Sequence, residues 1–280
     1  MSREPNTEGD SFAPDLDRVN RSGFPFQIGV EHLISNSLAS HGWQVSAVEH
    51  PWRDGFIDLV LSKSHLRTIV ECKRERSRND STAWVFLAPA PAELRTTARC
   101  LRFTQVPYLR GYQELEIVPS AHLSSYAVLP KDQGGQGGTR LLECWAGDLV
   151  RASDFFAAES ADVVVDFERE LPLFFVPIIV TNAELLVCSF DSRAVDLKAG
   201  EIPDIRLANF QPVGLVHFRK TLTTDLTAAL TSETYDTYSS NVDRQRSVFV
   251  VNVGHVIKFL EELLLSDGAN FYPSPDALFR

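Results

Sequence analysis

Two short apolar runs each carry an acid at an inner position: Phe56-Ile-Asp58-Leu-Val-Leu61 and Thr68-Ile-Val-Glu71-Cys-Lys73. As strands, the first places Phe56, Asp58 and Val60 on one face, and the second places Ile69, Glu71 and Lys73 on one face. The polar stretch from Ser62 to Arg67 suits the turn between them. A hairpin that opposes Leu61 and Thr68 sets Asp58 opposite Glu71, with β-carbons about 4.5–5.5 Å apart. Two carboxylates that close repel, and in an apolar sheet each also loses hydration. A cation between them relieves both costs. Lys73 is one candidate, and a hard divalent ion is the other, because Mg²⁺ takes carboxylate oxygens and keeps several waters.

A third acid comes from the segment before these strands. Ile28, Val30, Leu33, Ile34 and Leu38 recur at three- and four-residue spacing and predict a helix over Pro25–His41, with Gly42 as its exit. On the helical wheel Ile28, Ile34 and Leu38 lie within about 60° of Glu31. Glu31 is therefore expected on the face that packs against the sheet, where a lone carboxylate is unfavourable without a partner. The expected neighbourhood gathers Glu31, Asp58, Glu71 and Lys73.

The elements that must position these groups follow from pattern. Trp43 to Glu49 reads as a strand and Pro51 to Gly55 as a turn, in which Asp54 serves the turn. Trp84 to Leu87, Arg99 to Phe103 and Ser125 to Leu129 are further strand-like runs. Gly134 to Gly138 reads as a flexible loop and Leu149 to Ser160 as a helix. Phe174 to Thr181 and Leu185 to Phe190 suggest a hairpin turning at Asn182 to Glu184. Val213 to Arg219 and Ser247 to Val253 read as strands, and Gly254 to Leu265 as a closing helix. The expected organisation is a disordered tail over 1–22, a core over 23–130, and a β-rich part over 139–280. That last part either continues the core sheet or forms a second lobe. The order of elements argues a mixed α/β or α+β fold, of which the α/β form is the expected one.

Composition narrows the classes. The chain has 280 residues, 44% hydrophobic and 23% charged, and so is globular rather than disordered or collagenous. Its net charge of −10 excludes a uniformly basic coat, so a polyanion must meet a local basic patch or a bound cation. No apolar run approaches the roughly 20 residues that span a bilayer, and the polar start is unlike a signal peptide. Cys72, Cys100, Cys144 and Cys188 stand far apart without a Cys-x-x-Cys pair, which suits reduced thiols in cytoplasm.

In order, spacing and element type, the stretch Phe24 to Arg78 resembles the PD-(D/E)xK, or restriction-endonuclease-like, nuclease superfamily. The likeness lies in a helix with an inward Glu31, a strand with Asp58, and a following strand with Glu71-Cys72-Lys73. Ile57 stands where the family motif carries Pro, a position that is not a ligand. The resemblance implies a core sheet flanked by helices and divalent-metal-dependent hydrolysis of phosphodiester bonds, most often in DNA. It implies Asp58, Glu71 and the backbone carbonyl of Cys72 as ligands of Mg²⁺ or Mn²⁺, with Glu31 holding a second ion or a water. Lys73 would orient the attacking water and offset developing negative charge. Arg67, Arg74, Arg76 and Arg78 would meet nucleic-acid phosphates. A setting in bacterial or phage defence follows by analogy alone.

Plainer readings stand beside these. The three charged groups could form a solvated hairpin face with a Lys–Glu pair, and the arginines a polar loop. Glu75 reads as a surface charge, and His217 to Lys220 and Arg244 to Arg246 as plain surface. Cys72 points to the opposite sheet face and reads as packing rather than a nucleophile. Trp43, Trp52, Trp84 and Trp145 show no spacing that suggests base stacking. The histidines form no zinc motif, and no nucleophile elbow occurs. A catalytically silent nuclease fold that binds nucleic acid or scaffolds a complex is the alternative function, and a protein-interaction module with an accidental Glu-x-Lys is a third. Without a zinc finger or a helix-turn-helix, sequence specificity would come from a protein partner or homo-oligomer. No membrane is implied.

Overall fold

The computed structural model describes residues 12–53, 55–75, 83–89, 92, 94–104, 109–130, 138–163, 173–221 and 245–266. Helix α1 (Ala13–Ser22) and helix α2 (Phe24–Leu38) meet at Gly23, whose φ of 88° lies in the left-handed region that ends one helix and redirects the chain. Ten residues of the expected tail are thus helical. The buried face of α2 is Gln27, Val30, Ile34 and Leu38, whereas Ile28 is 61% exposed, so the apolar stripe is rotated from the one expected.

Strands β1 (Gln44–Trp52), β2 (Gly55–Lys63) and β3 (Leu66–Lys73) follow, then β4 (Trp84–Pro89), β5 (Leu94–Thr104), β6 (Leu109–Ser124) and β7 (Tyr126–Val128). Helix α3 (Gly138–Val163) leads to β8 (Leu173–Thr181), β9 (Leu185–Phe190), β10 (Ala208–Val213), β11 (Leu215–Thr221) and β12 (Gln245–Asn252). Helix α4 (Val256–Glu262) and β13 (Leu264–Ser266) complete the described part.

Nine of these strands form one mixed sheet in the order β1-β2-β3-β8-β12-β11-β6-β13, with β5 paired to β6 and β8. The other four form a second sheet, β10-β9-β4-β7. The β2–β3 hairpin pairs Leu61 with Thr68, the register expected from the sequence. Strand β8 lies parallel to β3 along its whole length, from Leu66↔Phe174 to Lys73↔Thr181. Its other edge is shared: Leu173–Phe175 pair with β5 and Ile178–Thr181 with β12, while Pro177, which has no N–H to give, sits between the two. Strands from both halves of the chain are therefore interleaved.

Apolar packing lies on both faces of this sheet. On one face α2 and α4 cover Leu59, Leu61, Val70, Val176 and Ile178. On the other, α3 and the second sheet cover Val60, Ile69, Phe175 and Ile179. A strand covered on both faces reads as a continuous apolar run, which explains Phe174 to Val180.

The expected hairpin of Phe174 to Phe190 does not form. Strand β8 belongs to the first sheet and β9 to the second, where β9 pairs with β4 in parallel from Trp84↔Leu185 to Pro89↔Phe190. The corner is held by Thr181 Oγ1 accepting from Ala183 N at 3.1 Å and by Asn252 Nδ2 donating to Ala183 O at 2.7 Å. Helix α3 begins well before Leu149, and the closing helix is split into α4 and β13, which pairs with β6. Among the described residues no helix is long and apolar enough to cross a membrane, and all four cysteines are free thiols.

Candidate active site

The antiparallel ladder between β2 and β3 ends at Leu59↔Val70, one step short of Asp58 and Glu71. On the other side of β2, the pairs Val48↔Leu59 and His50↔Ile57 flank Glu49 and Asp58, and Glu49 takes a φ of 49°. The backbone ladder is thus interrupted at Asp58. Its carboxylate closes the gap by accepting from Cys72 N at 2.6 Å. In an extended residue the N–H and C=O point to the same side, so the Cys72 carbonyl also turns toward β2 and Asp58.

The acids are crowded. Asp58 is half-buried, and its carboxyl is pushed up to about 6, first by burial and then by the negative charge of Glu71. The Cys72 N–H and the Lys73 ammonium pull the other way, and Glu49 adds a smaller upward push. Lys73 forms an ion pair with Glu71, and its ammonium lies 5.3 Å from the centre of the Trp145 ring. The Cys72 thiol is pushed up by burial and by Asp58 and Glu71, which removes it as a nucleophile and agrees with a packing role.

Glu71 and Lys73 open into a cleft of about 220 Å³ between β2, β3 and α3. Its helical wall is Trp145, Asp148, Leu149 and Ala152, which recur at the three- and four-residue spacing of one helix face. Its strand wall is Trp52, Gly55, Phe56 and Ile57. The sequence signal for the helical wall was present in that spacing, but a helix begun at Leu149 cuts it in two. Trp145 stacks on the buried Trp84 at 5.8 Å, and Trp84 Nε1 donates to Glu75 Oε2 at 2.9 Å. Glu75 is therefore a structural acceptor rather than a surface charge.

The structure brings Asp58, Glu71, Cys72 and Lys73 together. Glu31 stays apart: it is half-buried at the border of the packed face of α2, and that helix covers the sheet face opposite the cleft. No three His, Cys, Asp or Glu side chains among the described residues are grouped so as to hold a metal ion between them. Arg67 lies at the other end of β3 and donates to the carbonyls of Ser64 and Leu66, both at 2.8 Å. Arg74 is exposed and donates to the Asn20 carbonyl. Arg76, Arg78 and Asp54 lie outside the described residues. His217, expected at the surface, is buried against Ser247, while Arg219, Lys220 and Arg246 serve Glu114, Glu143 and the Glu143 carbonyl.

The mixed sheet, with helices on both faces and an acid–acid–lysine set at one end of its β2–β3 hairpin, defines a protein of restriction-endonuclease-like fold. No family model and no solved structure matches the chain. A UPF0102 protein of Parasynechococcus marenigrum is 30% identical over 96 residues, which are 34% of this chain and 69% of that protein. The chain belongs to the UPF0102 family, which falls within the restriction-endonuclease-like superfamily.

Proposed function

We propose that this protein is a divalent-metal-dependent nuclease that hydrolyses phosphodiester bonds, with DNA as the principal substrate. The observation that carries the reading is the crowding of Asp58 against Glu71, which with its partner Lys73 lines an open cleft. The donor set fits a hard ion of the Mg²⁺ or Mn²⁺ kind: two carboxylates that repel each other and a backbone carbonyl on the Asp58 side, with water completing the shell. Asp58, Glu71 and the Cys72 carbonyl would hold it. When bound, such an ion supplies positive charge to a phosphoryl oxygen and lowers the pKa of water. Lys73 would turn its ammonium from Glu71 to the phosphate and offset charge that develops there. The Trp145 ring, 5.3 Å from that ammonium, attracts its positive charge at the cleft.

A second reading, a catalytically silent nuclease fold that binds nucleic acid, draws on the ion pair itself, because Lys73 already gives Glu71 a positive neighbour. Cleavage separates the two. Wild type incubated with plasmid and single-stranded DNA in Mg²⁺ should cut, and should stop in chelator or with Lys73→Ala. Intact substrate under every condition, with DNA still bound, would favour the silent form.

A further inference from the structure

The cleft beside Glu71 and Lys73 is not built for a phosphate alone. Lys73 is the cation among its lining residues, and Glu71 and Asp148 oppose it with negative charge. The rest of the wall is flat and apolar. Trp52 lines the cleft half-buried and Phe56 stands at its rim 61% exposed, while the Trp145 ring is already taken by the stacked Trp84 and the Lys73 ammonium. Aromatic faces of this kind take up nucleobases by stacking, which is worth roughly 1–3 kcal/mol per base and is tolerant of sequence. A space of about 220 Å³ is smaller than the pockets that hold drug-sized ligands, of about 300–1,000 Å³, and suits one planar ring system. Bases within a duplex have their faces already stacked on one another and cannot present them to this wall.

We infer that the cleft takes one unpaired nucleobase next to the scissile phosphate, with Trp52 and Phe56 as its stacking surface. The substrate class is then single-stranded DNA, or a strand with a flap or bulge, rather than continuous duplex. This inference rests on the nuclease reading. Stacking also supplies affinity that a chain of net charge −10 cannot draw from a broad basic surface.

The test reads binding without turnover. Fluorescence anisotropy compares a dye-labelled single-stranded oligonucleotide with the duplex of the same sequence, in Ca²⁺ in place of Mg²⁺. Wild type should bind the single strand more tightly than the duplex. Phe56→Ala, at an exposed rim position, should lose single-strand affinity roughly tenfold and leave duplex binding unchanged. Trp52→Leu should lose at least as much, and Trp52→Phe should recover most of the loss. Duplex bound as tightly as the single strand by wild type, or a Phe56→Ala protein that binds single strands like wild type, would overturn the inference. Failure of the nuclease reading has a different signature: single strands bound through Phe56 but never cut in Mg²⁺.

Discussion

The Asp58 carboxylate accepts the backbone N–H of Cys72 at 2.6 Å, so a side chain occupies the place that a β2 carbonyl would take if the ladder continued. The interruption has two effects. It leaves the acid beside Glu71 instead of in solvent, and it ties the N–H of Cys72 to Asp58. That arrangement opposes stability, since burial and the Glu71 charge both raise the Asp58 carboxyl.

The sign of the resulting pH dependence is definite. A carboxyl near 3.8 in the unfolded chain and about 6 in the fold binds its proton more tightly when folded. Stability attached to this group therefore falls as pH rises from about 4 to 6, and the full penalty stands above that window. Asp58→Asn keeps an acceptor for the Cys72 N–H and removes the charge. In chelator at pH 8 it should be more stable than wild type, by on the order of 1 kcal/mol, and near pH 3.5 the gain should vanish. Paired thermal melts check this, and a lower Tm for Asp58→Asn at pH 8 contradicts it.

His217 gives the opposite slope. It is buried, stacks on Phe249 with ring centres 4.8 Å apart, and pairs with Ser247 Oγ at 2.8 Å. Burial, and then Arg219 and Arg95, hold its imidazole down to about 3. The stability tied to the neutral ring is complete above about 6.5 and is lost as pH falls toward 3. Urea unfolding at pH 8 and pH 5 should show wild type losing stability, with His217→Gln less stable at pH 8 but flatter between the two. Equal slopes in both proteins would refute the assignment.

Lys73 should matter to chemistry far more than to folding. Its pair with Glu71 is partly exposed, and such pairs contribute about 0–1 kcal/mol. Lys73→Ala should shift Tm by only a few degrees while reducing cleavage by on the order of 100-fold or more. A Lys73→Ala protein that cuts within threefold of wild type would remove it from the reaction.

What the sequence made legible was local. Alternation placed Asp58, Glu71 and Lys73, and the hairpin register was the expected one. The stripe on α2 was found but rotated: Val30, Ile34 and Leu38 are buried as expected, while Gln27 takes the place of Ile28. The β8–β9 corner escaped because periodicity is blind to partners: two apolar runs joined by a short turn look like a hairpin whether or not they pair. β6 was hidden by its mixture of Glu, Gln and Pro, since one of its faces is exposed at Glu114, Glu116 and Val118. The tryptophans of the cleft come from segments far apart in the chain, Trp52 and Trp145, and only the packing of α3 against β1 and β3 unites them.

On the proposed reading, Asp58 and Glu71 stand together to hold a cation. Titration calorimetry with Mn²⁺, on wild type and on Asp58→Ala verified as folded by circular dichroism, tests it most directly. One saturable binding event in wild type that disappears in Asp58→Ala is the predicted result. Identical heats in the two proteins, or none in wild type, would contradict the account.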